Sequence, residues 1–193
     1  SDPLVHATEL LLQERVPKKV ATLHPHAAEV STAARPPASE ADAIIRVFSD
    51  PNTPTPEVHL LSNGRHHVMA TNAGGGYTCW RDLAVTRWRE DTTRDCWGTF
   101  IYLRDCDTGR YWSTAFQPTL RKADHYEAIF VQGRAEYRRR DQAIEAHTEI
   151  SVSPEDDVEI RRVKLTNLSA HIRHIEVTSY AEVVLAPFNA DLS

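Results

Sequence analysis

Two runs of strict alternation constrain this chain more than any other feature. Ile144, Ala146, Thr148, Ile150 and Val152 alternate with Glu145, His147, Glu149 and Ser151. Ile175, Val177, Ser179, Ala181, Val183 and Leu185 alternate with His174, Glu176, Thr178, Tyr180 and Glu182. A period of two puts the apolar members on one face of an extended strand and the polar members on the other, which a helix cannot do. The same signal, weaker, runs back to residue 44. IIRVF at 44–48 is a short apolar run, and residues 57–62 and 65–71 flank Asn63-Gly64, a strong two-residue hairpin signal. Residues 99–103 and 111–116 flank a second turn at 105–109. Tyr126, Ala128 and Phe130 share a face, and Gly133 turns the chain into 134–140.

The count comes to about ten to twelve strands joined by short connections, so sequential antiparallel pairing follows. Two stacked sheets bury the apolar faces most economically, and the fold expected is an all-β, antiparallel two-sheet β-sandwich. Val158 and Ile160 have one parity and Val163 and Leu165 the other, which predicts a β-bulge or a change of facing sheet at Arg161-Arg162. Arg138-Arg139-Arg140 reads as a solvated strand edge.

Residues 1–43 differ in kind. Asp2-Pro3 starts a short N-terminal helix over 3–14, and Pro17, Pro25, Pro36 and Pro37 mark an extended connector. Two segments are therefore expected: the helix and Pro/Ala-rich connector at 1–43, and the β-sandwich at 44–193. The start at Ser1 and the stop at Ser193, straight after a strong strand, suggest a fragment of a longer multidomain protein.

Composition excludes some functions. A formal charge of -5 and a pI near 6.0 argue against nucleic acid as a partner. No apolar run approaches the roughly 20 residues that span a bilayer. Cys79, Cys96 and Cys106 match no zinc pattern and read as free thiols of a reducing compartment. The pairs His24/His26, His66/His67 and His171/His174 supply no third ligand at a defined position, so neither a metal nor another cofactor is expected.

The stretch 71–97 holds Gly74-Gly75-Gly76, Tyr77, Trp80, Trp88, Trp97 and four arginines. The glycines lack the Lys and Ser/Thr of a phosphate loop. They are either a backbone that approaches a ligand or another chain closely, or a bulged strand entry. Aromatic rings beside arginines suit a surface that grips sugar, and they equally suit a protein interface. Asp82, Glu90, Asp91 and Asp95 offer carboxylates for glycoside chemistry, although acidic residues among arginines more often form surface ion networks.

Several blocks bear a resemblance. These are Asn63-Gly64-Arg65-His66-His67-Val68-Met69, Asn72-Ala73-Gly74-Gly75-Gly76-Tyr77 with Trp80-Arg81-Asp82, and Thr86-Arg87-Trp88. Tyr102-Leu103-Arg104-Asp105, Thr108-Gly109-Arg110-Tyr111-Trp112-Ser113, Gln117-Pro118 and Tyr180-Ala181-Glu182 follow in order. The chain resembles the N-terminal β-supersandwich domain, galactose-mutarotase-like in fold, of the carbohydrate phosphorylases related to cellobiose phosphorylase. Within that family it looks most like the phosphorylase-like region of bacterial cyclic β-1,2-glucan synthases. It departs from the cellobiose phosphorylase pattern after Trp80, where Leu83-Ala84-Val85 replaces a more basic run.

The resemblance implies an accessory sandwich without catalytic residues, since the general acid and the phosphate site of such enzymes belong to an (α/α)6 barrel. It implies Tyr77, Trp80, Arg81, Arg87, Trp88 and Trp97 as carbohydrate contacts. A β-glucan oligosaccharide is the implied partner, with orthophosphate only in the full-length protein, the remaining domains of the parent chain, and a homodimer as a further option. A cytoplasmic domain is implied, whether the parent is an inner-membrane synthase or a soluble phosphorylase. A structural dimerisation domain without direct sugar binding is the alternative.

Overall fold

Alternation becomes thirteen strands in the computed structural model, which describes residues 45–89 and 96–191. The helix expected at 3–14 and the connector to residue 43 lie outside the described residues. In chain order the strands are β1 (Arg46–Phe48), β2 (Val58–Ser62), β3 (His66–Thr71), β4 (Gly76–Trp80), β5 (Leu83–Thr86), β6 (Thr99–Asp105) and β7 (Tyr111–Ser113). Then come β8 (His125–Val131), β9 (Arg134–Asp141), β10 (Ile144–Val152), β11 (Glu159–Asn167), β12 (Ile175–Ala181) and β13 (Val183–Pro187), closed by a 3-10 turn at Phe188–Asp191. Every pairing is antiparallel.

The antiparallel sandwich is present, built in two layers from three hydrogen-bonded sheets. One layer is the five-stranded sheet β1-β8-β9-β10-β11. The other layer is shared by the three-stranded sheet β12-β6-β7 and the five-stranded sheet β13-β5-β4-β3-β2. Only Glu182 separates β12 from β13, so one run of extended chain crosses from one covering sheet to the other.

The core follows from this arrangement. Tyr126, Ala128 and Phe130 of β8, with Ala135, Tyr137 and Ile150, meet Leu61, Val68 and Ala70 of the larger covering sheet. Leu103 and Trp112 of the smaller sheet meet Ile144 and Ala146 of β10. The outer face of β10 behaves as its charge demands: His147 and Glu149 join Glu136 there, with Arg134, Arg138 and Arg162 around them.

Several expectations need correction. β11 runs in unbroken register against β10 from Glu159 to Asn167, with no bulge at Arg161-Arg162. Glu159 and Arg161 take the inner parity as an ion pair, and Arg161 Nη1 reaches the Thr99 carbonyl at 2.8 Å. That pair, and not a backbone slip, pushes Ile160 outward. The register shift falls instead in β13, between Val183 and Ala186, where Leu185 has a φ of 53°. Arg138-Arg139-Arg140 is no edge, because β9 is interior to its sheet. Arg139 is buried, with its side chain 0% exposed. It donates to both oxygens of Asp141 at 2.6 and 3.0 Å and to the carbonyls of Ala115 and Arg121. The first hairpin turns one residue later than expected. Ser62 pairs with His67, Gly64 takes a φ of 88° at the tip, and the Asn63 side chain accepts the N–H groups of Arg65 and His66.

The glycine run is a strand entry that needs glycine because other parts of this chain come close. A Cβ on Gly74 would lie 2.2 Å from Ala115 Cβ, and one on Gly76 would lie 1.9 Å from the Met69 carbonyl oxygen. Gly64 has nearly the same φ as Gly74, +88° against +92°, but open space around it. Gly64→Ala should therefore cost only the left-handed backbone, about 1–2 kcal/mol. Gly74→Ala should cost about 1–3 kcal/mol more through overpacking. Urea unfolding midpoints of the two variants check this, and equal costs would contradict it.

Candidate functional site

The register of β3 with β4 divides the six candidate residues between two faces. Val68 faces Thr78 and Met69 faces Tyr77 across the ladder, so Tyr77 points away from the layer interface and Trp80 shares the Thr78 face. Trp80 and Thr78 reach the far layer: the Trp80 indole N–H donates to Asp157 Oδ2 at 2.6 Å, and Thr78 Oγ1 donates to Glu159 at 2.6 Å. Arg81, at the tip of the β4–β5 turn with a φ of 50°, lays its guanidinium 4.7 Å from the centre of the Trp80 ring. Trp80 and Thr78 therefore form a cross-layer strut on the inner side, and exposed Arg81 stacks on the Trp80 ring at its end.

Tyr77 and Trp88 form the other group. Their ring centres are 5.5 Å apart at 59°, and Phe188, in the 3-10 turn after β13, meets the Tyr77 edge at 6.4 Å. Tilted and edge-on rings at such distances add to the stabilisation from area burial. Burial, and then the neighbouring Cys79, pushes the Tyr77 hydroxyl up from its ordinary value, so it stays neutral and able to donate. Arg87, beside Trp88, is tied to Glu182 twice: its N–H donates to the Glu182 carbonyl at 2.8 Å and its guanidinium to the carboxylate at 2.7 Å. The Tyr180 hydroxyl also donates to Glu182, at 3.1 Å. Trp97 is half-buried, and its carbonyl accepts the Gly76 N–H at 2.7 Å beside the start of β4.

The structure thus gathers Tyr77, Trp88 and Phe188 in one patch and ties Arg87, next in sequence to Trp88, to Glu182. Trp80 lies on the other face with Arg81 stacked on it at the exposed turn, and Trp97 lies at the strand entry. Phe188 was not legible, because it stands about a hundred residues from Trp88 and only the β13–β5 pairing brings it near. Among the carboxylates proposed for chemistry, Glu90, Asp91 and Asp95 lie outside the described residues, and Asp82 is exposed.

The ligand atoms of Glu136, His147 and Glu149 lie within 4.8 Å of one another, as a metal site would require. However, Arg134 and Arg138 already pair with Glu136, and Arg162 with Glu149. The His147 hydrogen bond, reinforced by Arg134 and Arg138, lowers the Glu136 carboxyl below its ordinary range. The donor set is an ion-pair network whose charge is already balanced, and it does not fit a cation.

Compared with known families, residues 41–193 match the glycosyl hydrolase 94 supersandwich domain. The chain belongs to that family. It is 40% identical over 200 residues to the cyclic beta-(1,2)-glucan synthase NdvB of Rhizobium meliloti (strain 1021), covering 100% of this chain and 7% of the relative. It is 31% identical over 145 residues to the solabiose phosphorylase of Paenibacillus borealis, covering 72% of this chain and 19% of the relative. The N,N'-diacetylchitobiose phosphorylase of Vibrio furnissii is 28% identical over 150 residues, covering 75% and 19%. The supersandwich chain therefore spans only a small part of these relatives. Among its described residues no helix is long and apolar enough to cross a membrane.

The strut gives a pH dependence. Trp80, then Arg65 and Asn63, hold the Asp157 carboxyl at about 2, below its ordinary 3.8. At Asp105 burial alone would raise the carboxyl, but Arg173 and the N–H groups of Asp107 and Thr108 also bring it to about 2. Their stabilisation is present above about pH 4 and is lost as the pH falls through about 2. The wild type should lose stability across that window and Asp157→Asn should lose less, as read by urea unfolding followed through tryptophan emission. Identical pH slopes would contradict the assignment.

Proposed function

We propose that this chain is an accessory, non-catalytic β-sandwich that lends a contact surface to a β-glucan site completed by other parts of a longer protein. The observation that carries this reading is the patch of Tyr77, Trp88 and Phe188 beside Arg87 and Glu182. Its rings stand on the outer side of β4, away from the core, where a flat apolar face can meet the C–H face of a glucose ring. Arg87 and Tyr77 offer donors for hydroxyls at its border. Glu182 is engaged by Arg87 and is not poised as an acid or base.

Kinship to a cyclic β-(1,2)-glucan synthase supports β-1,2-linked glucose as the ligand. Kinship to phosphorylases supports glucosyl transfer or phosphorolysis in the full-length protein, with orthophosphate as co-substrate at a barrel outside this chain. In this reading residues 44–193 are the sandwich, residues 1–43 its helix and connector, and the whole a cytoplasmic domain. Titration with β-1,2-gluco-oligosaccharides should change tryptophan emission at millimolar ligand. Trp88→Ala should abolish the change, and Trp80→Phe should leave it. No response from the wild type would contradict direct binding.

One observation favours a structural reading of the same region. Val183 and Leu185 of β13 are 63% and 66% exposed, next to the half-exposed Phe188. An apolar strand edge of this kind suits a packed partner, either a further domain or a second copy. A dimer in light scattering that Leu185→Asp splits, with no glucan response, would favour that reading over sugar binding.

A further inference from the structure

β7, the loop 117–124 and the β9–β10 turn line an open, cleft-like cavity of about 220 Å³ that shares no residue with the Tyr77–Trp88 patch. Arg110, Arg121 and Lys122 lie on its wall, against two carboxylates, Asp124 and Asp141. Both carboxylates are already bonded. Asp141 accepts two hydrogen bonds from buried Arg139, and Asp124 accepts the Gln142 N–H at 2.9 Å. The field left in the cavity is positive. The Arg121 guanidinium is laid over the Tyr111 ring at 4.5 Å, which orients it without neutralising it.

Two further observations mark this as a built site. Trp112 forms part of the wall, is 3% exposed, and its buried indole N–H has no acceptor among the described residues. A buried donor without an acceptor is costly, and an acceptor oxygen in the cavity is the kind of group that would satisfy it. The rim is also strained. Gln142 and Ala143, with φ of 47° and 64°, form the β9–β10 turn in a geometry that favours Asn-Gly, and Leu120, with φ of 54°, precedes Arg121. Asp124 on the Gln142 N–H, Arg173 on the Gln142 carbonyl and Arg139 on the Arg121 carbonyl hold these residues there. Backbone strain held in place by side-chain hydrogen bonds recurs at ligand sites.

We infer that this cavity binds a phosphoryl group, carried by a monosaccharide or free as orthophosphate. Arg110, Arg121 and Lys122 outnumber Asp124, the wall carboxylate whose charge Arg139 does not offset, and such a cationic excess matches a dianion better than a single carboxylate. A volume below the roughly 300–1,000 Å³ of larger ligand pockets limits the body to about one sugar unit. Tyr111, with its ring half-exposed at the rim, would meet that unit.

The test is calorimetric titration of the full chain, at low salt, with orthophosphate, with a hexose phosphate and with glucose. Phosphate-bearing ligands should bind while glucose stays silent. Arg121→Ala and Lys122→Ala should each weaken binding about tenfold or more, and added salt should weaken it further. Both side chains are exposed, so an unchanged thermal midpoint will separate lost binding from lost fold. Tighter binding of hexose phosphate than of orthophosphate, lost in Tyr111→Ala, identifies a sugar phosphate. Equal affinities identify the free anion. No heat from either at millimolar concentration, binding unchanged in Arg121→Ala, or equal binding of glucose would overturn the inference.

Discussion

The hydroxyls of Tyr126 and Tyr137 rise from one layer of the sandwich and donate to the carbonyls of Asn72 and Thr71 in the other, at 2.6 and 2.7 Å. Backbone groups in a dry interior have to be bonded, and here the partners come from the opposite sheet. The turn so held organises its surroundings. The fully buried Asn72 side chain accepts the Glu57 N–H and donates to the Asp50 carbonyl and Thr53 Oγ1, which ties down the loop before β2. Gln117 donates its N–H to the Ala73 carbonyl, and Gly76 donates to the Trp97 carbonyl. Gly74 and Gly76 make the approach possible by having no side chain. The outward position of Tyr77, and with it the aromatic patch, follows from β4 starting where this turn puts it.

The buried charges act in the same way on the adjoining 115–121 loop and the β9–β10 turn. Arg139 joins Asp141 to two carbonyls of the 115–121 loop, and Arg173 joins Asp105 to the Gln142 carbonyl. Such groups are costly to bury and very costly to leave unpaired, so each one fixes the loop that supplies its partners. Together they shape the cationic cavity beside Trp112. The sandwich thus carries two surfaces of different chemistry, an aromatic one on the outer side of β4 and a cationic one at the β9–β10 turn.

Where burial follows alternation, as in 144–152 and at Tyr126, Ala128 and Phe130, the sequence could be read directly. It misled where the reason lay far along the chain. The glycines left a ligand approach and a strand entry both open, because Ala115, Met69 and Trp97, which crowd them, are not local. Arg139 looked solvated because three arginines in a row usually are, and its acceptors sit elsewhere in sequence. At Arg161 the apolar count failed because an ion pair takes two inner positions. In β12 and β13 alternation did not bring full burial, since both strands lie at sheet edges and Val177, Val183 and Leu185 stay exposed. The candidate site was legible in its residue types but not in its grouping. Nothing local shows that Trp80 turns inward to Asp157 while Tyr77 and Trp88 stay together with Phe188.

The central claim is that this outward patch, and not the whole tryptophan-rich stretch, meets glucan. The four tryptophans stand in different surroundings, so their indole N–H signals in a proton–nitrogen NMR spectrum report on each place separately. Adding a β-1,2-gluco-oligosaccharide should shift the Trp88 signal and leave those of Trp80 and Trp112 in place. A shift confined to Trp80 or Trp112, or no shift at all, would contradict the account.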